Sequence, residues 1–311
     1  KNDNFRASFQ TGFRNPTTQD QYIGLDAGSA ILVGSAPDNL DRYTSSPLNV
    51  STAGQALLGS PTTTLSGRLA YENSFSVSSV QNGAPAASNA PLVKPEKVTA
   101  YEVGYRGLVN AGESRITVDV SAYYNSYEDF ISGKNVLVPF YGTVGDNGLS
   151  LLALQNGDYK AFQTYTNTSA DISSYGASIG LNTKVLNGFD LGINYTYAKF
   201  DFDQASDPSF EAGFNTPEHK IKLQFGHTNL FENFGFNFNA RWQNEFLWES
   251  TFVDAMIGER LVLDAQINYA VPSIKSIFKI GGANLTGQEY LSAPGIGAIG
   301  SQYYISWTIN N

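Results

Sequence analysis

The sequence has 311 residues, with 19 Lys plus Arg against 28 Asp plus Glu and no cysteine. The net charge of −9 argues against a nucleic-acid partner, since phosphate binding needs clustered Lys and Arg; the missing cysteines exclude disulfide scaffolds, thiolate metal sites and Cys nucleophiles. Charged residues make up only 15%, against about 25% in an ordinary soluble domain, and no apolar run approaches the roughly 18 to 20 residues of a membrane-crossing helix.

The chain opens at Lys1 without an apolar leader and reads as a mature chain or a fragment. From Phe5 to Phe13 the odd positions are Phe5, Ala7, Phe9, Thr11 and Phe13, and the even ones are Arg6, Ser8, Gln10 and Gly12. That period of two marks a strand with one apolar face. The same split recurs over 115–125, 174–182 and 234–243, and further strands are read at 97–108, 189–203, 218–228, 259–270, 275–283 and 301–309. Ten strands follow. Their connections alternate in length: short at 109–114, at Asn187-Gly188, near 229–233 and around Pro272, but long at 15–96, 131–171, 204–217, 249–258 and 284–300. Asn187-Gly188 is the strongest turn signal, because a type I′ turn needs two positive φ values.

The first long connection exceeds what a compact domain tolerates as structureless loop, about 12 to 15 residues. Ala53 to Leu58 is read as one or two helical turns, Thr62 to Ala70 and Phe75 to Val80 as extended, and Leu149 to Gln155 as ambiguous between the two.

A β-sandwich also alternates apolar and polar residues, so the connection rhythm decides between the classes. Outer-membrane barrels have short periplasmic turns, long outer loops, a lipid-facing apolar band and a polar lumen. Glu102, Arg106, Asp119, Lys220, Lys222, Arg241 and Glu245 on the polar faces suit a wet interior. The expected class is all-β: an antiparallel transmembrane barrel segment of about ten strands, ending on the periplasmic side.

Several segments resemble the C-terminal barrel of TonB-dependent outer-membrane transporters: Arg6 to Asp20 (RASFQTGFRNPTTQD), Val98 to Arg106 (VTAYEVGYR), Tyr123 to Ile131 (YYNSYEDFI), Phe214 to Lys220 (FNTPEHK) and Asn284 to Tyr290 (NLTGQEY). The wording is most similar to versions from Bacteroidota. The resemblance implies a barrel of about 22 strands closed around a plug, of which this chain supplies roughly the last third. It further implies that the plug, the early strands and the TonB-contacting segment lie elsewhere, and that the family's usual terminal aromatic residue is missing or beyond Asn311, which reads as truncation.

The two histidines, His219 and His227, share the apolar face of one strand about 26 Å apart, too far to share a metal or a reaction step. They are read as interfacial or structural. Glu128 and Asp129 are neighbours on a strand and point to opposite faces. Asp201 and Asp203 share a face beside Asp207 and Glu211, which is read chiefly as a solvated acidic loop, with calcium ligation as the sharper alternative. Gly281-Gly282 is read as easing a bend in the wall. No catalytic motif, cofactor motif or metal motif is found.

Arg6, Arg14, Glu102, Arg106 and Arg241 are expected to face the lumen, where the resemblance implies packing against the plug. Trp242, Trp248, Tyr303 and Trp307, with Phe246, are expected in aromatic girdles at the membrane boundaries. Tyr141, Tyr159, Tyr165 and Phe252 lie in long connections and are expected to stack on a sugar ring or an aromatic siderophore group.

The function expected is active import of a scarce nutrient (siderophore-bound iron, cobalamin or a glycan) across the outer membrane. The expected partners are membrane lipids, the plug and early strands, the TonB complex and a surface lipoprotein. Two alternatives stand beside it: a complete ten-strand barrel acting as adhesin, channel or surface hydrolase, and a secreted carbohydrate-binding β protein. The acidic balance sets a mild bias against highly anionic substrates.

Overall fold

The computed structural model describes residues 3–309 apart from 113, 147, 186–187, 209 and 251–252. Ten strands form one antiparallel sheet in strict chain order: β1 (Asn4–Arg14), β2 (Glu96–Ala111), β3 (Ser114–Glu128), β4 (Ile172–Val185), β5 (Phe189–Phe202), β6 (His219–Phe231), β7 (Phe234–Gln243), β8 (Arg260–Val271), β9 (Ser276–Ala283) and β10 (Gln302–Ile309). Strands 13 to 16 residues long over β2 to β6 exceed the globular mode of about 5 to 6. They are long enough for a tilted membrane crossing, which takes about 9 to 11.

Each short turn reverses the chain through a residue with positive φ: Gly112 (63°), Gly188 (107°), Asn233 (68°) and Lys275 (50°). The expected turn at Asn187 lies outside the described residues. A register shift between His227 and Phe231 widens the β6–β7 turn.

The pairing register carries the apolar parity across the whole sheet. Phe9 faces Tyr101, which faces Tyr124; further along, Ile193 meets Leu223, Phe225 meets Phe238, and Phe278 meets Trp307. This face is open, with Phe9 63% and Ile305 81% exposed. A sandwich would bury it against a second sheet. Among the described residues no second sheet covers it. β1 and β10 are the two edges and do not pair with each other, so the ten strands are not closed on themselves.

The dry core lies elsewhere. Residues 15–95 and 131–171, the two longest connections, fold together at one end of the sheet. Their five-stranded sheet runs in the order Gly24–Asp26, Ile31–Val33, Tyr159–Asn167, Ile131–Pro139, Phe75–Ser76, and the second and third of these pair in parallel. Around it pack α1 (Thr18–Tyr22), α2 (Pro37–Arg42), α3 (Thr52–Leu58), α4 (Gly67–Glu72), α5 (Val77–Gln81) and α6 (Leu149–Gln155). Ile31, Val33, Leu40, Leu65, Ala70, Tyr71, Val136, Val138 and Phe162 form the core.

The helix expected near Ala53 to Leu58 is present, its first turn capped by Ser51 Oγ, which accepts from Gly54 N at 3.0 Å. The extended readings are corrected: only Thr62–Thr63 and Phe75–Ser76 are strand, and each leads into a helix. Gly67, Ala70 and Tyr71 stand at i, i+3 and i+4, so one helical face buries all three. The ambiguous segment 149–155 is helical.

Candidate functional site at the mouth of the inner face

The polar parity forms the opposite, inner face. There Arg6 pairs with Glu102 (3.4 Å) and Asp119 (3.7 Å), Arg106 with Asp119 (3.6 Å), and Arg241 with Asp264 (2.8 Å). All six side chains in these pairs are partly open to solvent, so each pair contributes only about 0 to 1 kcal/mol. Their consequence is a wettable wall.

Toward the long-loop end the inner face turns aromatic. One hollow of about 550 Å³ is lined by Gln10, Glu102, Tyr123, Asn125, Tyr127 and Phe214. A second, of about 440 Å³, is lined by Phe200, Phe202, Phe214, Glu218, Asn244 and Phe246. Phe214 belongs to both and stacks on Phe200 at 5.3 Å. Behind it, Phe130, Phe202 and Phe210 interlock edge to face, Phe202 and Phe210 at 5.0 Å. Polar edges alternate with these rings: Asn125 Nδ2 donates to Ser174 Oγ (3.1 Å), and Tyr127 Oη lies 3.2 Å from the same oxygen. Flat faces beside amide and hydroxyl groups suit a ligand with an apolar plane and a polar rim.

The family description TonB dependent receptor-like, beta-barrel matches residues 1–285. The chain belongs to the TonB-dependent receptor β-barrel family. Solved structures with a similar course include the FrpB iron transporter from Neisseria meningitidis, at 10% identity and a TM-score of 0.48 over 70% of this chain and 32% of that one. The ferric-catecholate import receptor Fiu from K12 E. coli shows 18% identity and a TM-score of 0.44 over 70% and 27%. The siderophore receptor PirA from Acinetobacter baumannii shows 13% identity and a TM-score of 0.45 over 70% and 32%. The chain spans about a third or less of the length of these structures. No curated protein matches it. In this TonB-dependent receptor barrel the apolar face is the outer-membrane face and the polar face is the lumen side.

In the sheet, Arg6, Glu102, Arg106 and Arg241 stand on the parity opposite the exposed apolar rings. Arg14, also on that parity, binds Glu96 (2.9 Å) and approaches Asp20 (3.8 Å) at the end of β1. The loop tyrosines do not converge on the hollows. Tyr165 is 9% exposed, its hydroxyl accepting from Gln19 Nε2 at 2.9 Å, and burial pushes its phenol up. Tyr141 donates to Asp158 Oδ2 (2.9 Å) and accepts from Asn156 Nδ2 (2.9 Å). Tyr159 opens a subdomain strand and is half exposed, and Phe252 lies outside the described residues. The rings that do line the mouth, Tyr123, Tyr127, Phe200, Phe202 and Phe214, were missed. Their signal was present: Phe200 and Phe202 break the alternation by placing apolar rings on the polar parity just before a long loop.

Trp242 stands at the long-loop end of the membrane face and donates Nε1 to Glu259 Oε1 (3.0 Å); Trp307 stands near the short-turn end, stacked on Phe278 at 5.9 Å. Tyr303 is on the same face, whereas Trp248 sits in a small loop hairpin, Phe246–Trp248 with Ala255–Ile257. His219 Nδ1 lies 2.8 Å from Tyr195 Oη, and His227 accepts from Asn229 N at 3.0 Å.

The expectation that Glu128 and Asp129 alternate along a strand is corrected: β3 stops at Glu128, and Asp129 turns away at φ 55° to pair with Lys94 at 2.8 Å. The acidic run is also split. Asp203 accepts from Ala205 N, Asp207 accepts from Thr168 Oγ1 at 2.9 Å, and no group of three potential ligands assembles among the described residues. Gly281 lies under the Tyr304 ring, where a Cβ would meet ring atoms at 2.5 Å, so close cover rather than a bend explains it.

Glu211 joins the loops to one another. It accepts from Asn135 Nδ2 at 2.9 Å, and burial followed by the charges of Asp254 and Glu249 pushes its carboxyl from 4.5 up to about 6. The folded loops therefore hold this proton more tightly than the unfolded chain does. The contribution of this group to loop stability is full below about pH 4.5 and is lost as pH rises through about 6. Protease cleavage within 203–218 is expected to be slower at pH 5 than at pH 7.5, and Glu211→Gln to remove that difference. Equal rates in the unsubstituted protein would contradict the assignment.

Proposed function

We propose that the chain is one arc of the wall of an outer-membrane importer that takes up a scarce nutrient, in the class of siderophore-bound iron, cobalamin or a glycan. The observation that carries this reading is the pair of aromatic hollows on the inner face, beside the 203–218 loop that Glu211 ties to the subdomain through Asn135. In this reading the long loops and their subdomain face outward and collect the solute. The remaining strands of a barrel of about 22 pair with the open edges β1 and β10, because unpaired backbone groups are too costly in lipid. A plug packs against Arg6, Glu102 and Arg106, and the TonB complex supplies energy through that part. Trp242, Tyr303 and Trp307 sit in the girdles, and a surface lipoprotein meets the outer loops. The chain's work is recognition and passage, not catalysis.

The test is uptake by cells carrying the intact receptor, offered labelled ferric siderophores, cobalamin and oligosaccharides with and without a protonophore. One class is expected to enter only when the membrane is energised. Phe214→Ala with Phe200→Ala is expected to lower its apparent affinity about tenfold, the size of one or two lost ring contacts. Uptake that is the same with and without the receptor for all three classes would overturn the proposal.

A further inference from the structure

The acidic chain carries a local reversal of charge on its inner face. Across β6, β7 and β8 the register aligns Lys220 with Gln243 and Arg260, and Lys222 with Arg241 and Val262. Strand spacing of about 4.8 Å and a same-face step of about 6.8 Å place the four cations in a block about 10 Å wide. Among the described residues only Arg241 of the four has a carboxylate partner, Asp264. Arg260 donates to the Leu291 carbonyl (3.0 Å) and lies 4.6 Å over the Tyr290 ring, neither of which carries a full negative charge. Among the described residues, Lys220 and Lys222 have no ion pair within 4.0 Å.

Two further features point the same way. The amide nitrogen of Gln243, between Lys220 and Arg260 in the register, is enclosed with no acceptor. Beside the block lies a hollow of about 300 Å³ lined by Gly180, Gly192, Asn194, Lys222, Asn239 and Arg241, and by Asp264, whose carboxylate is engaged by Arg241 and by the Asn284 amide. Over Gly180 the nearest atom to a Cβ is Asn194 Nδ2 at 3.4 Å, whereas Arg6 covers Gly104 and Asn182 Oδ1 covers Gly192 at 2.8 Å. The hollow is open, rich in donors, and larger than one carboxylate needs.

Like charges crowded on a wall of low dielectric repel, and their summed field concentrates counter-ions. We infer that this patch is a binding station for an anionic group of the solute that moves along the inner wall. The inference rests on the import reading and adds the charge class of the cargo. The patch begins one same-face step, two residues, below the mouth: Glu218 lines the aromatic hollow and Lys220 opens the block. A solute leaving the rings meets the cations next. The bias against anions drawn from total charge is thereby reversed locally, on the wall below the aromatic hollows.

The negative charge has two sources to be told apart, the solute and a carboxylate of the segment filling the barrel. Calorimetry on the intact receptor in non-ionic detergent uses citrate as the anionic probe and sucrose as the neutral one. Citrate is expected to bind, and to weaken at least tenfold both in Lys220→Gln/Lys222→Gln and on raising salt from about 50 to 500 mM, which shortens the screening length. Lys275→Gln, at a distant turn, is expected to leave citrate binding unchanged. Absent citrate binding, or equal binding in the double variant, overturns the inference. A double variant that melts earlier with citrate affinity intact assigns the cations to the barrel's own filling and also overturns it. Patch-dependent citrate binding without energised uptake would sink the import reading alone, and energised uptake of an anionic solute indifferent to the double variant would sink the patch alone.

Discussion

Phe162→Ala is expected to open the loop subdomain while leaving the wall intact. Phe162 has no exposed surface and sits on the central strand Tyr159–Asn167, between the parallel partner Ile31–Val33 and the antiparallel partner Ile131–Pro139. Its ring packs among Ile31, Val33, Val136 and Val138, all at 4% exposure or less. Truncation leaves a ring-sized void between elements joined at both sides, so collapse is limited and the cost is about 3 to 5 kcal/mol. That is a large fraction of what a unit of this size possesses. None of the wall's hydrogen bonds passes through this residue. The three tryptophans, Trp242, Trp248 and Trp307, all lie outside the subdomain and act as a built-in reporter of the rest of the chain. The variant should be nicked by protease within 16–95 and 131–171, with tryptophan emission unchanged. Phe162→Leu should lie between the two proteins. Emission that shifts together with the nicking would mean the subdomain and the wall unfold as one unit, and the separation argued from their distinct cores would fail.

The wall was readable because its determinants are local and repeated. Each strand carries a period of two over nine or more residues, each short turn carries a Gly, Asn or Pro signal, and meander topology pairs every strand with its sequence neighbour. The subdomain has the opposite properties. Ile31–Val33 pairs with Phe162 to Thr164 across more than a hundred residues of intervening chain, and three-residue strands and six-residue helices are too short to show a period. Tyr165 in TYTN has the composition of a solvated loop, and only the fold turns it inward. The mouth was half readable. The inner parity of Arg6, Glu102, Arg106 and Arg241 follows from alternation, but which rings line the hollows depends on how 203–218 folds back across the wall, a long-range event. Total charge misled for a related reason: it averages the acidic loops with a basic block that only strand register assembles.

Glu96→Ala is expected to free the same subdomain by a different route, at its neck. The chain passes between wall and subdomain four times, after Arg14, before Glu96, after Glu128 and before Ile172. One buried carboxylate ties three of those crossings. Glu96, 8% exposed, accepts from Arg14 Nη2 at 2.9 Å and from the Ile131 amide at 3.0 Å. Asn167 ties the neck further, accepting from Lys94 N at 2.8 Å and donating to the Lys94 carbonyl and to that of Asp129. Removing the carboxylate leaves a buried N–H without an acceptor and a guanidinium with only Asp20 nearby at 3.8 Å. Orphaning such a donor costs about 1 to 3 kcal/mol, and the lost charge-assisted contact adds to it, though the partly exposed Arg14 keeps that addition small. A total of about 1 to 4 kcal/mol follows. Glu96→Gln keeps an oxygen for Ile131 and should cost less than half as much. The two subdomain variants then differ in kind. Phe162→Ala loosens the interior, whereas Glu96→Ala should raise amide exchange first at Ile131 and at 94–96 while Phe162 to Thr164 stay protected. Exchange that rises equally at the neck and in the core would mean that the subdomain has no independent stability and that the wall alone holds its fold.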